Sequence, residues 1–302
     1  MSERWRVLDC TSLRGKISSD RGAIVVNPED RESTRVPVAD VAVILVGPTV
    51  QLSAASLHRM MKEDIPLLLC DWKGVPEGGA YSWREHGRVG ARHIAQTALT
   101  APRQKNAWAQ IIRAKVMGQS TVLKEYGRPN SGELASLAKL IRSGDPSNIE
   151  GRAARLYWQS LWGPDGFRRT PSMPDRDNST RNAQLDYAYT VLRGHGIRAV
   201  LAAGLTPALG VFHHGRSNNF SLVDDLIEPF RPAVDSGVVH LAPNADMKAP
   251  ETRKLLVAAA SRKYLDSGLT IPTVLEDLAQ QFGRYVEGDI PKLRVEYWRG
   301  AL

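Results

Sequence analysis

Only Cys10 and Cys70 carry thiols in this chain of 302 residues. Two cysteines are too few for a disulfide framework or a cysteine-based zinc site, so a reducing, cytoplasmic setting is expected. Long apolar runs are also missing. Stretches such as Val41–Val46 are strand-sized, against the ~20 residues a membrane helix needs, so no membrane association is expected. Met1–Leu13 carries Glu3, Arg4, Arg6 and Asp9, and therefore lacks the apolar core of a secretion signal. Repeats and low-complexity tracts are absent. With 42% hydrophobic and 24% charged residues, the composition excludes a disordered or fibrous chain. At about 100–200 residues per domain, the length points to two domains.

Acidic residues are scarce in two central blocks. Residues 81–128 hold 9 Lys and Arg against 2 Asp and Glu, and residues 151–200 hold 8 against 4, while the rest of the chain is about neutral. The whole excess of the +8 net charge therefore lies there. Clustered positive charge attracts a polyanion, because each base that meets a phosphate releases condensed counterions. The first block (Arg84, Arg88, Arg92, Arg103, Lys105, Arg113, Lys115, Lys124, Arg128) is interleaved with Trp83, Trp108 and Tyr126. In the second every base is Arg, whose planar fork matches phosphate oxygens in pairs. The alternative for the first block is a solvated helix face.

Up to about residue 50 the texture is short β-like runs separated by Gly15, Asp20-Arg21-Gly22 and Asn27-Pro28. A short helix capped by Ser53 and a strand over 66–70 follow, and Lys73–Gly79 reads as a linker. From about residue 85 the period becomes helical, with helices expected over 88–98, 103–126, 132–142, 148–161, 179–193, 222–231, 251–266 and 273–286. Residues 163–178 read as a polar, aperiodic loop. The expected fold class is α+β: a β-rich domain over 1–73, a linker over 74–84, and a larger all-α domain over 85–302.

Three clusters could carry chemistry. In Asn148-Ile149-Glu150-Gly151-Arg152-Ala153-Ala154, the pattern Ser147-x-x-Glu150 makes a plain capping box. Yet Gly151 costs about 1 kcal/mol relative to Ala inside a helix, and small residues beside a carboxylate permit a close approach. In Gly210-Val211-Phe212-His213-His214-Gly215, two histidines end an apolar run. Neighbours in an extended chain face opposite ways, so the pair is not expected to share zinc. In Ser221-Leu222-Val223-Asp224-Asp225-Leu226-Ile227-Glu228-Pro229, a helix would place Asp225 and Glu228 on one face, where they repel unless a cation neutralises them. A Glu, a His and a Glu or Asp pair suit Mg²⁺ or Mn²⁺, hard ions that accept oxygen ligands. An acidic metal cluster flanked by basic blocks is the charge pattern of an enzyme acting on a phosphodiester.

In order along the chain, Asn148–Ala154, Asn182-Ala183-Gln184-Leu185-Asp186-Tyr187-Ala188-Tyr189, Gly204–Gly210 with His213, and Phe220–Glu228 continuing as Pro229-Phe230-Arg231-Pro232 resemble the CRISPR-associated integrase of spacer acquisition. The ending is most similar to the branch of type II systems. The resemblance implies that Glu150, His213 and Glu228 are catalytic and hold Mg²⁺ or Mn²⁺. It makes Asp225 an auxiliary acid and His214 the alternative ligand one residue on, and it places Tyr187 and Arg231 at the site. The implied reaction inserts a short foreign DNA into a CRISPR repeat array. Its 3′-hydroxyl attacks a phosphodiester at the repeat edge, and Arg84, Arg88, Arg92 and Arg152 hold the backbone. The implied partners are double-stranded DNA, a second copy joined through the N-terminal domain, a small ferredoxin-like companion bridged by two such dimers, and the RNA-guided effector nuclease. Two rival readings use the same residues: a metal-dependent nuclease hydrolysing branched or repair intermediates, and a non-catalytic nucleic-acid-binding scaffold.

Overall fold

The structure is a computed structural model and describes residues 6–72, 76–82, 86–163, 167, 169, 180–247 and 249–300. It divides into two compact units, Met1–Gly87 and Arg88–Leu302. The first is β-rich and the second is helical, as the α+β reading requires.

In the first unit β1 (Arg6–Cys10), β5 (Val41–Val46), β7 (Leu67–Cys70) and β8 (Pro76–Ala80) form one sheet in the order β1-β5-β7-β8. The second sheet runs β4-β3-β2-β6, from β2 (Gly15–Asp20), β3 (Ala23–Pro28), β4 (Thr34–Pro37) and β6 (Val50–Leu52). Strand β5 has parallel neighbours on both sides and every residue buried, which explains its unbroken apolar run. Asp20-Arg21-Gly22 turns β2 into β3 with positive φ at both Arg21 (42°) and Gly22 (78°), the geometry that matches strand twist in a two-residue hairpin. Helix α1 (Ala54–Lys62) is capped as expected, Ser56 N–H donating to Ser53 Oγ at 3.1 Å. The expected linker over 74–84 needs correction: Pro76–Ala80 is an edge strand pairing antiparallel with β7, its Pro and glycines tolerated where only one side bonds. Cys10 and Cys70 are buried free thiols. Burial pushes them up to about 12 and about 11, far from reactive.

The helical unit comprises α2 (Val89–Thr97), α3 (Ala101–Glu125), α4 (Ser131–Leu140), α5 (Ile149–Trp162), α6 (Thr180–Ala202), α7 (Ser221–Leu226), α8 (Arg231–Val239), α9 (Pro250–Ala259) and α10 (Ile271–Glu287). Helix α3 is the spine, packing on α4, α5, α8 and a 3-10 turn at Glu228–Phe230. Two expected boundaries move for physical reasons. The single helix over 222–231 is three pieces, because Pro229 cannot donate to the preceding turn and Pro232 starts a new helix well. Conversely α6 runs past 193 through Gly194-His195-Gly196. A Cβ at Gly196 would sit 2.7 Å from Ile227 Cγ2, so the glycine is what lets this helix lie against α7. His195 is buried there, and burial followed by the Arg198 charge pushes it down to about 3, which makes it a neutral core histidine. Most of the polar loop expected over 163–178 lies outside the described residues.

Candidate active site

Helix α5 starts from a left-handed Asn148 (φ 48°, ψ 47°), whose Oδ1 accepts from Gly151 N–H at 3.2 Å. Asp145, also left-handed, accepts from Ile149 and Glu150 N–H, both at 2.9 Å. Asn148 and Asp145 thus satisfy the orphan donors of the first turn. The Ser147-x-x-Glu150 capping box does not form, and Gly151 leaves room for the Asn148 side chain, since a Cβ would lie 2.7 Å from its Oδ1. Released from capping, Glu150 reaches Lys115 Nζ on α3 at 2.7 Å.

The same ammonium lies 2.6 Å from Glu228 Oε2, and Arg231 Nε lies 3.1 Å from Glu228 Oε1. Glu228 is 6% exposed and Lys115 13%. Burial alone would push the Glu228 carboxyl up, but Arg231 and Lys115 override it and hold the group below the usual carboxylate range. Burial would likewise strip the Lys115 proton, and the charges of Glu228 and Glu150 raise the group instead. Two carboxylates far apart in the chain therefore converge on one cationic position. Sequence reasoning placed Lys115 on a phosphate-binding face. Its position in the apolar stripe Trp108, Ile111, Ile112, Val116, Val122 of α3 was the available sign that it points inward.

His213 reaches the same neighbourhood from the loop before α7. Asp225, fully buried, accepts backbone N–H bonds from Val211 (2.6 Å), Phe212 (2.9 Å) and His213 (3.4 Å). Its Oδ1 also takes the His213 ring Nδ1 at 2.5 Å. Gly210 permits this wrapping, because a Cβ there would collide with the His213 carbonyl oxygen. Donation from Nδ1 leaves the lone pair of a neutral ring on Nε2, the arrangement that orients a ligating imidazole. The hydrogen bond to Asp225 raises the His213 pKa against burial, and the charges of Asp225, Glu228 and Asp224 add to it. Asp225 is thus the clamp of the histidine loop. Asp224 is held elsewhere, by Arg193 at 2.9 Å and Asn218 at 2.8 Å.

The remaining expected residues divide. His214 is exposed, and Tyr187 is half-buried with Arg253 over its ring at 5.8 Å. Arg231 bridges Glu228 to a buried cluster behind it, lying 4.7 Å over the Tyr189 ring. The Tyr189 and Tyr157 hydroxyls both donate to Asp235, Tyr157 at 3.0 Å. Arg92 is corrected: it is 5% exposed, with Nη1 donating to Ala203 O (2.5 Å) and Gln280 (3.0 Å) and Nε to Glu287 (3.2 Å), so it cannot meet a phosphate. Arg88 pairs with Glu287 at 2.7 Å yet stays 63% exposed, and Arg152 is exposed on α5, two residues after Glu150. Arg84 lies outside the described residues. Much of the basic excess serves the interior. Arg103 stacks over Tyr285, Arg113 donates to the Ile141 carbonyl, and Arg169, Arg193 and Arg198 pair with Asp186, Asp224 and Glu276.

Among the described residues no three His, Cys, Asp or Glu side chains stand in a ready-made metal-ligand group. The donor chemistry nevertheless fits a hard divalent ion. Glu150 and Glu228 share a cationic position, the buried Glu228 Oε2 facing the Lys115 ammonium at 2.6 Å. His213 brings an available Nε2 within electrostatic range of Glu228. Lys115 must give way for such an ion to bind.

The two-unit fold is already represented among solved structures. A casposase bound to integration product superposes with TM-score 0.73 at 19% identity, over 96% of this chain and 92% of that one. A Cas1 protein from Thermotoga maritima gives 0.74 at 19%, over 96% and 100%. Residues 11–266 match the family CRISPR associated protein Cas1, and the chain belongs to that family. It is 35% identical to a CRISPR-associated endonuclease Cas1 of Neisseria meningitidis serogroup C (strain 8013), over 82% of this chain and 79% of the relative. It is 27% identical to a Cas1 endonuclease of Pyrobaculum aerophilum, over 85% and 91%. No helix among the described residues is long and apolar enough to cross a membrane.

Proposed function

We propose that this chain is a divalent-metal-dependent DNA integrase and endonuclease that joins short foreign DNA to a CRISPR repeat array. The observation that carries the reading is the meeting of Glu150 and Glu228 at one buried cationic position, 2.7 and 2.6 Å from Lys115 Nζ. Glu150, Glu228 and His213 Nε2 would hold Mg²⁺ or Mn²⁺, which supplies charge stabilisation to the oxygens of the reacting phosphodiester. The protein's own part is positioning. Asp225 fixes the histidine loop through its backbone and ring bonds, and Arg231 braces Glu228 against the Tyr189 side of the core. The 3′-hydroxyl of the incoming strand forms a new phosphorus–oxygen bond as the repeat strand's own bond to that phosphorus breaks. One phosphodiester replaces another, so no covalent enzyme intermediate is required.

Exposed Arg152 and largely exposed Arg88 remain as backbone contacts. The partners of this reading are double-stranded DNA, a second copy joined through the N-terminal unit, and a small ferredoxin-like companion. A similar solved structure, a Cas6-RT-Cas1–Cas2 complex (TM-score 0.75, 18% identity, 97% of this chain, 36% of that one), supports an assembly of that kind. The relatives' designation as endonucleases favours hydrolysis as the second reading. Labelled protospacer DNA incubated with a supercoiled repeat-bearing plasmid and Mn²⁺ separates the two. Label joined to plasmid supports integration. Nicking without joining supports hydrolysis and overturns the integrase reading.

A further inference from the structure

Phe212 is the residue before His213. It is 48% exposed, unusual for a phenylalanine, while Trp108 beneath it is 1% exposed. Their rings are parallel to within 2° at a centroid separation of 4.3 Å, so one face of Phe212 is fully used. The His213 ring stands edge-on to both, 5.8 Å from Trp108 and 5.4 Å from Phe212. A ring almost equidistant from two stacked centroids lies beside the stack, not above it. His213 therefore does not cover the outer face of Phe212.

The ring is also held in place before anything binds. Its backbone N–H is fixed by Asp225 at 2.9 Å, the flanking Val211 and His213 are fixed by the same carboxylate, and Trp108 is anchored in α3. A ligand landing on the ring pays little ordering entropy. What would land there is constrained by charge. Asp225, Glu228 and Asp224 act on the neighbouring His213 ring, and a flat, uncharged heterocycle can lie beside these carboxylates without repulsion. Exposed Arg216 lies in the same loop, four residues on, where it can take the accompanying phosphate.

We propose that the outer face of Phe212 is a stacking site for one unpaired nucleobase of a DNA strand whose end lies at the Glu150, His213 and Glu228 cluster. The inference rests on the DNA-processing reading, and adds to it a recognition element that is indifferent to base identity. The base extends the Trp108–Phe212 pair to a three-layer stack, which sets the distance between the strand end and the cluster.

The test uses the full chain and a DNA duplex with single-stranded 3′ tails, carrying 2-aminopurine at successive tail positions. Wild-type protein is expected to quench the probe at one position. The Phe212→Leu variant, which keeps an apolar side chain but loses the flat face, is expected to abolish that quenching and weaken binding about 5- to 150-fold, the range of base–aromatic stacking. Phe212→Tyr retains both. An abasic unit at the quenched position makes wild type and Phe212→Leu bind equally. Unchanged quenching or affinity in Phe212→Leu, or an equal loss on abasic DNA, overturns the proposal. So does a change of oligomeric state in Phe212→Leu with unaltered DNA binding, which would make the face a protein contact. The joining assay is read separately: quenching without joining in wild type leaves the stacking site standing and sinks the integrase reading.

Discussion

Two buried acids stand on either side of Arg231 and behave in opposite ways. Glu228 is enclosed by cations, Lys115 and Arg231, and is held ionised. Asp235 is enclosed by two phenols, Tyr157 and Tyr189. Burial pushes Asp235 up to about 7, the tyrosine hydrogen bonds only partly opposing it. Equal burial thus yields a charged oxygen donor in one place and a proton-bearing structural group in the other. The charge of the neighbours decides, since desolvation disfavours the ion in both. Lys115 is the cation that Glu228 shares with Glu150.

Breaking the charged side should have the largest effect. Glu228→Ala leaves Lys115 and Arg231 buried without their shared partner, a loss of about 3–5 kcal/mol by the usual cost of uncovering a buried ion. Joining activity should fall to background, and denaturant melts together with the plasmid-joining assay check both. Glu228→Ala with unchanged joining would remove Glu228 from the site.

Lys115→Met keeps the packing but removes the resident cation, so Glu150 and Glu228 repel in metal-free protein. Its melting temperature in EDTA should drop below that of wild type, and Mn²⁺ should raise it by more than it raises the wild type. An equal Mn²⁺ response in both proteins would show that Lys115 and the metal do not compete.

The phenol side is sharpened by pH. Between the unfolded pKa of Asp235, near 3.8, and its folded value of about 7, the folded state binds the extra proton, so this group's contribution to stability declines as pH rises through that window. Asp235→Asn has no such proton. Denaturation at about pH 5 and pH 8 should therefore find the variant gaining on wild type at the higher pH, and a gap that stays constant or widens would contradict the assignment. The smallest effect is at the surface. Arg152→Ala should leave stability within about 0.5 kcal/mol of wild type while weakening DNA binding and flattening its salt dependence, read by fluorescence anisotropy between 50 and 200 mM salt.

The legible parts of the sequence are those set by local chemistry. The apolar run of β5, the Asp20-Arg21-Gly22 hairpin and the Ser53 cap all follow from neighbours in the chain. Motif order picks out Glu150, His213 and Glu228 as the proposed donor set. That Asn148 and Asp145 take over the capping, freeing Glu150, was not legible, because Ser147-x-x-Glu150 offers an equally good local solution. The helix expected over 179–193 runs on through Gly194 and Gly196, where packing against Ile227 outweighs the cost of the glycines. The arginine blocks misled most. A count of charges does not reveal that Arg92 feeds the Ala203 carbonyl or that Arg198 faces Glu276.

The order of residues alone thus settled the division into a β-rich and a helical part, the buried run of β5, the Asp20-Arg21-Gly22 hairpin and the Ser53 cap. Only the folded chain settled which charges face water and which face each other. Backbone preference is decided within a few residues, whereas the fate of a charge depends on desolvation and on partners brought from a hundred residues away. Lys115 between Glu150 and Glu228 is the clearest instance: a surface base by composition, a buried counter-ion by structure.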